Sequence, residues 1–224
     1  MALAPESNIY LETYGAVYVP IAKVASSSIK ACLASCLQLA GAAGNPHEIA
    51  FPRAEFFTPA GERLYPGAYS FAFVRNPWSR LVSCYRDKIR GEVRDFTEFA
   101  ESGVAHCLAG FDVFSAGMSF ERFVRSVASI PDRDADEHFR SQADYVVNSS
   151  GVVALDFIGR YEKLQHDFAQ IALNIGLPLA PALPHLQAAP ARHVADFYSA
   201  ETRGIVGRRY ARDIELFAYR FPSD

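Results

Sequence analysis

Lys23 is followed by Val24 and Ala25 and then by three consecutive hydroxyls, Ser26, Ser27 and Ser28, between the apolar run Val17–Ile21 and a helix-spaced run that continues past Lys30. At the start of a helix the first backbone N–H groups lack partners within the helix, and the aligned peptide dipoles place partial positive charge there. A lysine beside that end completes a cradle for an anion such as a phosphate or a phosphosulfate. No glycine lies between Gly15 and Gly41, and Lys23 precedes the hydroxyls instead of standing immediately before one. The glycine spacing of a Walker loop is therefore absent, which disfavours magnesium-triphosphate chemistry. The plain alternative for the same letters is a serine cap on a helix with a solvated lysine nearby.

The segment Ser70–Ile89 repeats the strand, turn and helix plan with different chemistry. Arg75 brings the charge to the turn, Asn76 suits the N-cap and Pro77 the first helical position. Trp78, Leu81, Val82, Tyr85 and Ile89 fall on one helical face, which packs inward, while Ser79, Ser83 and Arg86 share another. A strand-end arginine and a hydroxyl one or two turns into the helix can grip one phosphate together. The alternative for Arg75 is an ion pair with Asp87 or Glu162, and Arg80 and Arg86 read as exposed helix charges. Two anion grips, each at the carboxyl end of a predicted strand, point to a ligand with two separated anionic groups along the edge of a parallel sheet.

These two segments resemble the 5′-phosphosulfate loop and the 3′-phosphate motif of the sulfotransferases that use 3′-phosphoadenosine-5′-phosphosulfate, above all the carbohydrate branch. Phe73–Lys88 carries the stronger likeness. Asp156–Leu164 with Asp167 and Phe168 resembles that family's strand, "YE" turn and next helix, and His138–Gln142 resembles a histidine-aromatic motif before it. The likeness runs in order over residues 15–220. One departure is Ala22, where the family usually has proline directly before the loop lysine; here the proline is Pro20.

The resemblance implies a donor, 3′-phosphoadenosine-5′-phosphosulfate, a product, 3′-phosphoadenosine-5′-phosphate, and no metal. It assigns the 5′-phosphate to Lys23, Val24, Ala25, Ser26, Ser27 and Ser28, and the 3′-phosphate to Arg75 and Ser83. Tyr161 falls at a position that packs near adenine, although a core tyrosine gives the same letters, and by chain order alone Arg192 with His193 falls where a C-terminal loop can cover the nucleotide. Sulfuryl transfer also needs charge stabilised on the bridging oxygen and a proton removed from the acceptor. Lys23, a mobile ammonium, suits the first task. A histidine suits the second, since its ring titrates near neutrality. Of His47, His106, His138, His166, His185 and His193, His47 leads because it lies between the two motifs, where related carbohydrate sulfotransferases also carry a histidine. His138 follows.

The elements that must position these groups alternate in the α/β manner. A strand over Val17–Ile21 leads to a helix with Ile29, Leu33 and Leu37 inward, beside Cys32 and Cys36, ended by Gly41–Gly44. Asn45–Gly67 is an irregular connection with a short strand at Ile49–Phe51, placed to shape an acceptor cleft. A helix spans Ser119–Ser129, Asp132–Glu137 is a solvated loop, and a strand covers Ala154–Ile158. Glu162–Ile175 is a helix with Leu164, Phe168, Ile171 and Ile175 inward, Pro178–Pro190 is a loop, and a last helix starts at Ser199. Met1–Asn8 is a loose tail. The expected fold is a single domain over residues 1–224, a three-layer unit like the P-loop kinases, with a central, mainly parallel sheet flanked by helices.

The 224 residues are half hydrophobic and 21% charged, a globular composition, and the net charge of −3 argues against a general nucleic-acid binder. No run has the length and apolarity of a membrane span or a secretory signal, which with the Met1 start leads to the expectation of a cytoplasmic, bacterial enzyme. Cys32, Cys36, Cys84 and Cys107 show no C-x-x-C spacing, and Cys32 and Cys36 read as buried small apolar residues. The expected partner is a hydroxyl-bearing acceptor, a glycan or glycoconjugate; Phe51, Phe56, Phe57 and Tyr65 are placed either to stack on its sugar faces or to fill the core. Rival readings are a nucleoside or metabolite kinase and a non-catalytic nucleotide-binding module.

Overall fold

The computed structural model describes residues 8–39, 45–53, 55, 58, 62–92, 97–178, 183 and 193–222. Along the chain its helices are α1 (Ser26–Cys36), α2 (Pro77–Lys88), α3 (Phe120–Ser129), α4 (Ala143–Val146), α5 (Leu164–Ile175), α6 (Ala200–Arg209) and α7 (Ala211–Leu216). The chain forms two compact units, Met1–Val74 with Gln142–Leu186 and Arg75–Ser141 with Gln187–Asp224.

The first unit holds a four-stranded sheet in the order β1 (Ile9–Leu11), β2 (Ala16–Val19), β3 (Tyr69–Val74) and β4 (Phe157–Arg160). β1 is antiparallel to β2, and β2, β3 and β4 are parallel to one another. The result is a mixed α/β fold with a mostly parallel sheet flanked by helices. Every residue of β2 is buried, which explains its unbroken apolar run, since a strand covered on both faces has no use for alternation. Tyr18 stacks on its register partner Phe71 with ring centroids 5.2 Å apart.

Helix α5 packs on β3 and β4, with Phe168 against Phe73. Gly159 pairs with Phe73, and a Cβ there would lie 2.4 Å from the Phe73 ring, so only glycine lets the ring lie against this strand. Asp156 accepts from the Ser70 N–H and hydroxyl and from the Arg63 guanidinium, and so ties the chain entering β4 to β3. Burial alone would raise its carboxyl, but the Arg63 and Ser70 donors hold it below the ordinary carboxylate value.

The second unit is built on an aromatic core in which Trp78, Tyr85, Phe114, Phe120, Phe123, Phe139 and Tyr210 are buried. The inward face predicted for α2 is observed in full, for Trp78, Leu81, Val82, Tyr85 and Ile89 are all buried. The predicted Phe120, Phe123, Val124 and Val127 stripe of α3 is likewise buried. Ser199 caps α6 through a capping box with Thr202.

Several sequence expectations require correction. β1 was not anticipated, because three residues give too short a pattern; Ile9 and Leu11 are nonetheless buried. β2 is Ala16–Val19 and stops at Pro20, which supplies no N–H to a ladder. α1 ends at Cys36, with Gln38 in the left-handed region at φ 53°, before the expected glycines. Ile49–Phe51 forms no strand, though Ile49 and Phe51 are buried. Val153 bridges to Val147 and the Ala154 N–H donates to the Val146 carbonyl, so the fourth strand begins at Phe157 and not at Ala154. The C-terminal helix breaks into α6 and α7 at Tyr210.

The stretch Asp132–Glu137 is not a simple solvated loop, because Asp132 pairs with Arg209 at 2.7 Å and accepts from the Ser141 N–H. The expected loose tail does not extend to Asn8, which is buried, while residues 1–7, the glycine run 41–44 and most of the 178–190 stretch lie outside the described residues. No described helix is long and apolar enough to cross a membrane.

Candidate functional site

In the first unit, β2 leads through Pro20, Ile21 and Ala22 into a turn that takes the left-handed conformation at two non-glycine residues, Lys23 (φ 68°) and Ala25 (φ 67°). Each such residue costs about 1–2 kcal/mol, so the packing around it must hold it there. Ile21 and Val24 supply that packing, both fully buried. The turn replaces the glycines of a Walker loop with ordinary side chains, and its missing proline at position 22 does not straighten it.

Helix α1 starts at Ser26, as the residues suggest, but its N-cap is Ala25, which has no side-chain acceptor to offer the first-turn N–H groups. Ser26, Ser27 and Ser28 thus occupy the first three helical positions, and all are buried. Lys23 is 8% exposed, so the solvated-lysine alternative is excluded: the residue is folded into the turn.

His47 reaches this first helical turn from outside. Its Nε2 lies 2.9 Å from the Ser27 Oγ, while Asn45 Oδ1 accepts from the His47 N–H at 3.0 Å. The asparagine fixes the backbone two residues on, as Asx turns do, and the ring is thereby laid against α1. His47 is exposed, so a group arriving from solvent can reach it. Asn45 was missed in the sequence, although the Asn-x-His spacing is a legible signal for it.

Tyr161 follows β4 directly, is half-buried, and opens the short 3-10 turn before α5. Asp167 holds that turn, accepting from the Arg160 N–H at 2.7 Å. Tyr65, 42% exposed, stacks on Tyr10 at 5.3 Å, whereas Phe51 is core. Phe56, Phe57, His185 and Arg192 lie outside the described residues.

In the second unit the turn before α2 is built differently. Asn76 is the N-cap and accepts from the Trp78 N–H at 3.1 Å, and its amide donates to the Arg220 carbonyl at 2.7 Å. Arg75 and Ser83 are both half-buried. Arg80 and Arg86 are not the exposed charges expected of them. Arg80 is 2% exposed and donates to the carbonyls of Arg140 and Glu137, and Arg86 is 8% exposed and paired with Glu92 at 2.7 Å. Guanidinium suits such sites because its planar fork meets several acceptors at once. Asp87 contacts Lys88 at 3.1 Å and accepts from Thr97.

His138 sits in the second unit, with its Nδ1 2.6 Å from Asp136 Oδ1, and its backbone N–H donates to the same oxygen at 3.0 Å. Burial would raise the Asp136 carboxyl, but the His138 ring outweighs it and holds the carboxyl below its usual value. Sequence reasoning named His138 and missed Asp136, which the Asp-x-His spacing could have offered. The Cys107 thiol lies close by, and burial and then the Asp136 carboxylate push it up to about 11. On α1, burial and the neighbouring Cys36 push the Cys32 thiol up to about 12, so neither cysteine behaves as a ready nucleophile.

Comparison with known proteins yields a match to the model of the sulfotransferase family over residues 8–220. Carbohydrate sulfotransferase 14 of Mus musculus is 30% identical over 166 residues, which make up 69% of this chain and 43% of that protein, and the Homo sapiens protein of the same name gives the same figures. An uncharacterised protein of Archaeoglobus fulgidus is 33% identical over 118 residues, covering 53% of this chain and 76% of its own. The chain spans less than half the length of those two carbohydrate sulfotransferases. No solved structure matches it.

Proposed function

The chain belongs to the sulfotransferase family, and from that premise we propose that it transfers a sulfonate from 3′-phosphoadenosine-5′-phosphosulfate to a hydroxyl of a carbohydrate or glycoconjugate. The carbohydrate acceptor follows the names of its relatives. The whole chain acts as one catalytic domain, with the three-layer architecture of nucleotide kinases; the parallel β2, β3 and β4 support that reading. The observation that carries the proposal is the turn at residues 20–28, where a buried lysine and an uncapped first helical turn of three serines stand at the end of a parallel strand.

The donor supplies a sulfonate joined through oxygen to a phosphate leaving group. Lys23 neutralises charge as it develops on the bridging oxygen, and it does so best from a buried position, where a charge interacts more strongly than in water. The Val24–Ser28 backbone amides and the serine hydroxyls hold the 5′-phosphate. Arg75 and Ser83 take the 3′-phosphate, and Tyr161 packs on the adenine. His47 removes the acceptor's proton: the acceptor oxygen forms a bond to sulfur, the sulfur–bridging oxygen bond breaks, and the proton passes to the imidazole. The Ser27–His47 contact supports His47 over His138, which is turned onto Asp136.

Incubation with donor labelled in its sulfonate, against a panel of polysaccharides, glycolipids and phenols, tests this reading. The expected result is labelled carbohydrate, formed without added metal. Transfer of the terminal phosphate of ATP instead, or labelling of phenols alone, would overturn it.

A further inference from the structure

The second unit contains a group of side chains that the sulfonate transfer does not use. Cys107, on a short 3-10 turn (His106–Leu108), meets Asp136 and His138 from the segment after α3, and one donor atom of each lies within 4.8 Å of the other two. We propose that Cys107, Asp136 and His138 bind a divalent transition-metal ion of the zinc class, with one coordination position left to water or an outside ligand.

The donor set selects the ion. One sulfur, one nitrogen and one carboxylate oxygen are poor partners for magnesium or calcium, which prefer oxygen throughout, and good ones for zinc. Charge balance points the same way. A dication meets one thiolate, one carboxylate and a neutral imidazole, so the loaded site is electroneutral, as a half-buried position requires.

The other charges nearby leave this balance intact, because Lys88 is held by Asp87 at 3.1 Å. The thiol gives up its proton to solvent as sulfur bonds the ion, and the proton that His138 Nδ1 shares with Asp136 leaves to solvent or is replaced by one on Nε2, so that a neutral ring turns its Nδ1 lone pair to the ion. Ligands about 2.0–2.3 Å from a tetrahedral zinc stand roughly 3.3–3.8 Å apart. The 2.6 Å His138–Asp136 contact must therefore open by about an ångström, and Cys107 must close in.

Asp136 is already oriented for this, since its Oδ1 is anchored by the His138 N–H. The ion would clamp the turn carrying Cys107 to the segment carrying Asp136 and His138, and no step of the transfer passes through it. The inference is therefore independent of the donor reading.

The test uses the intact protein with zinc and with cobalt(II) as probes. Cys107 is exposed, so an alkylating reagent in excess at mildly alkaline pH reaches it although its thiol ionises reluctantly, and zinc is expected to slow this labelling further by roughly tenfold or more, with the site identified by mass spectrometry and Cys36 as the internal control. Cobalt(II) is expected to give a thiolate-to-metal charge-transfer absorption that Cys107→Ala abolishes. In competition with a chromophoric chelator, Cys107→Ala and His138→Ala are each expected to weaken zinc binding by about tenfold or more. Unchanged Cys107 labelling in zinc, or a charge-transfer band that persists in Cys107→Ala, would overturn the proposal. The labelling experiment needs no variant and decides the matter even where a substitution impairs folding.

Discussion

The turns before α1 and α2 face the same problem, the unsatisfied N–H groups of a helix start, and they answer it in opposite ways. Before α2 the chain satisfies itself: Asn76 caps the Trp78 N–H, and Pro77 removes a donor that would need a partner. Before α1 it does not, for the N-cap is an alanine and both Lys23 and Ala25 are held in the left-handed region. A self-capped helix start contributes to stability by itself, whereas a strained start without a side-chain cap, beside a buried lysine, is the one to which we assign the 5′-phosphate. The two histidines repeat the lesson. Each follows an Asx residue by two positions and has its N–H held by that side chain, yet the His47 ring goes to Ser27 of α1 and the His138 ring goes back to Asp136.

The largest effect that would break this contrast is on catalysis. His47→Ala is expected to lower kcat by roughly a hundredfold or more, with donor-product binding little changed, and His138→Ala to cost at least about tenfold less. Equal losses in steady-state assays would erase the distinction between the two rings. Lys23→Ala is expected to lower transfer by about 10²–10³ and to weaken binding of the phosphorylated nucleotide, since a charge at the leaving oxygen is lost. Full transfer by that variant would remove the lysine from the mechanism.

Arg75→Ala is expected to reduce the preference for a 3′-phosphorylated over a plain adenine nucleotide by roughly ten- to a hundredfold, the worth of a charge-assisted hydrogen bond. Titrations of the variant with both nucleotides measure this directly, and an unchanged ratio would assign the 3′-phosphate elsewhere.

The smallest effects are on stability and carry opposite signs. Asn76→Ala is expected to cost about 1 kcal/mol, because the Trp78 N–H loses its cap. Ala25→Gly is expected to gain roughly 0.5–1 kcal/mol, relief of the left-handed strain less the entropy of glycine. Thermal unfolding of the two variants reads both signs, and a loss in Ala25→Gly would show that the turn is not strained.

Much of this arrangement was legible in the residues. The Val17–Val19 run, the Asn76-Pro77 start and the inward face of α2 follow from burial and capping rules that act over a few residues. What escaped was set by distant partners. β1 gains its place only by pairing with β2, and the fourth strand starts late because Val153 and Ala154 are taken by residues 146 and 147. Arg80 and Arg86 looked like surface charges because nothing local announces the carbonyls of Glu137 and Arg140 or the Glu92 carboxylate. At the candidate site, Lys23 and the serines were readable as a pattern, but the left-handed backbone that folds the lysine inward has no signature without glycine. Asn45 and Asp136 were visible as Asx-x-His spacings, and only the fold shows that their two rings part company.

The donor site is decided by calorimetry at low salt, comparing 3′-phosphoadenosine-5′-phosphate with AMP, ADP and ATP, each with and without magnesium. Tight, magnesium-independent binding of the 3′-phosphorylated nucleotide is expected, with much weaker binding of the others; preference for magnesium-ATP would contradict the sulfonate-donor site.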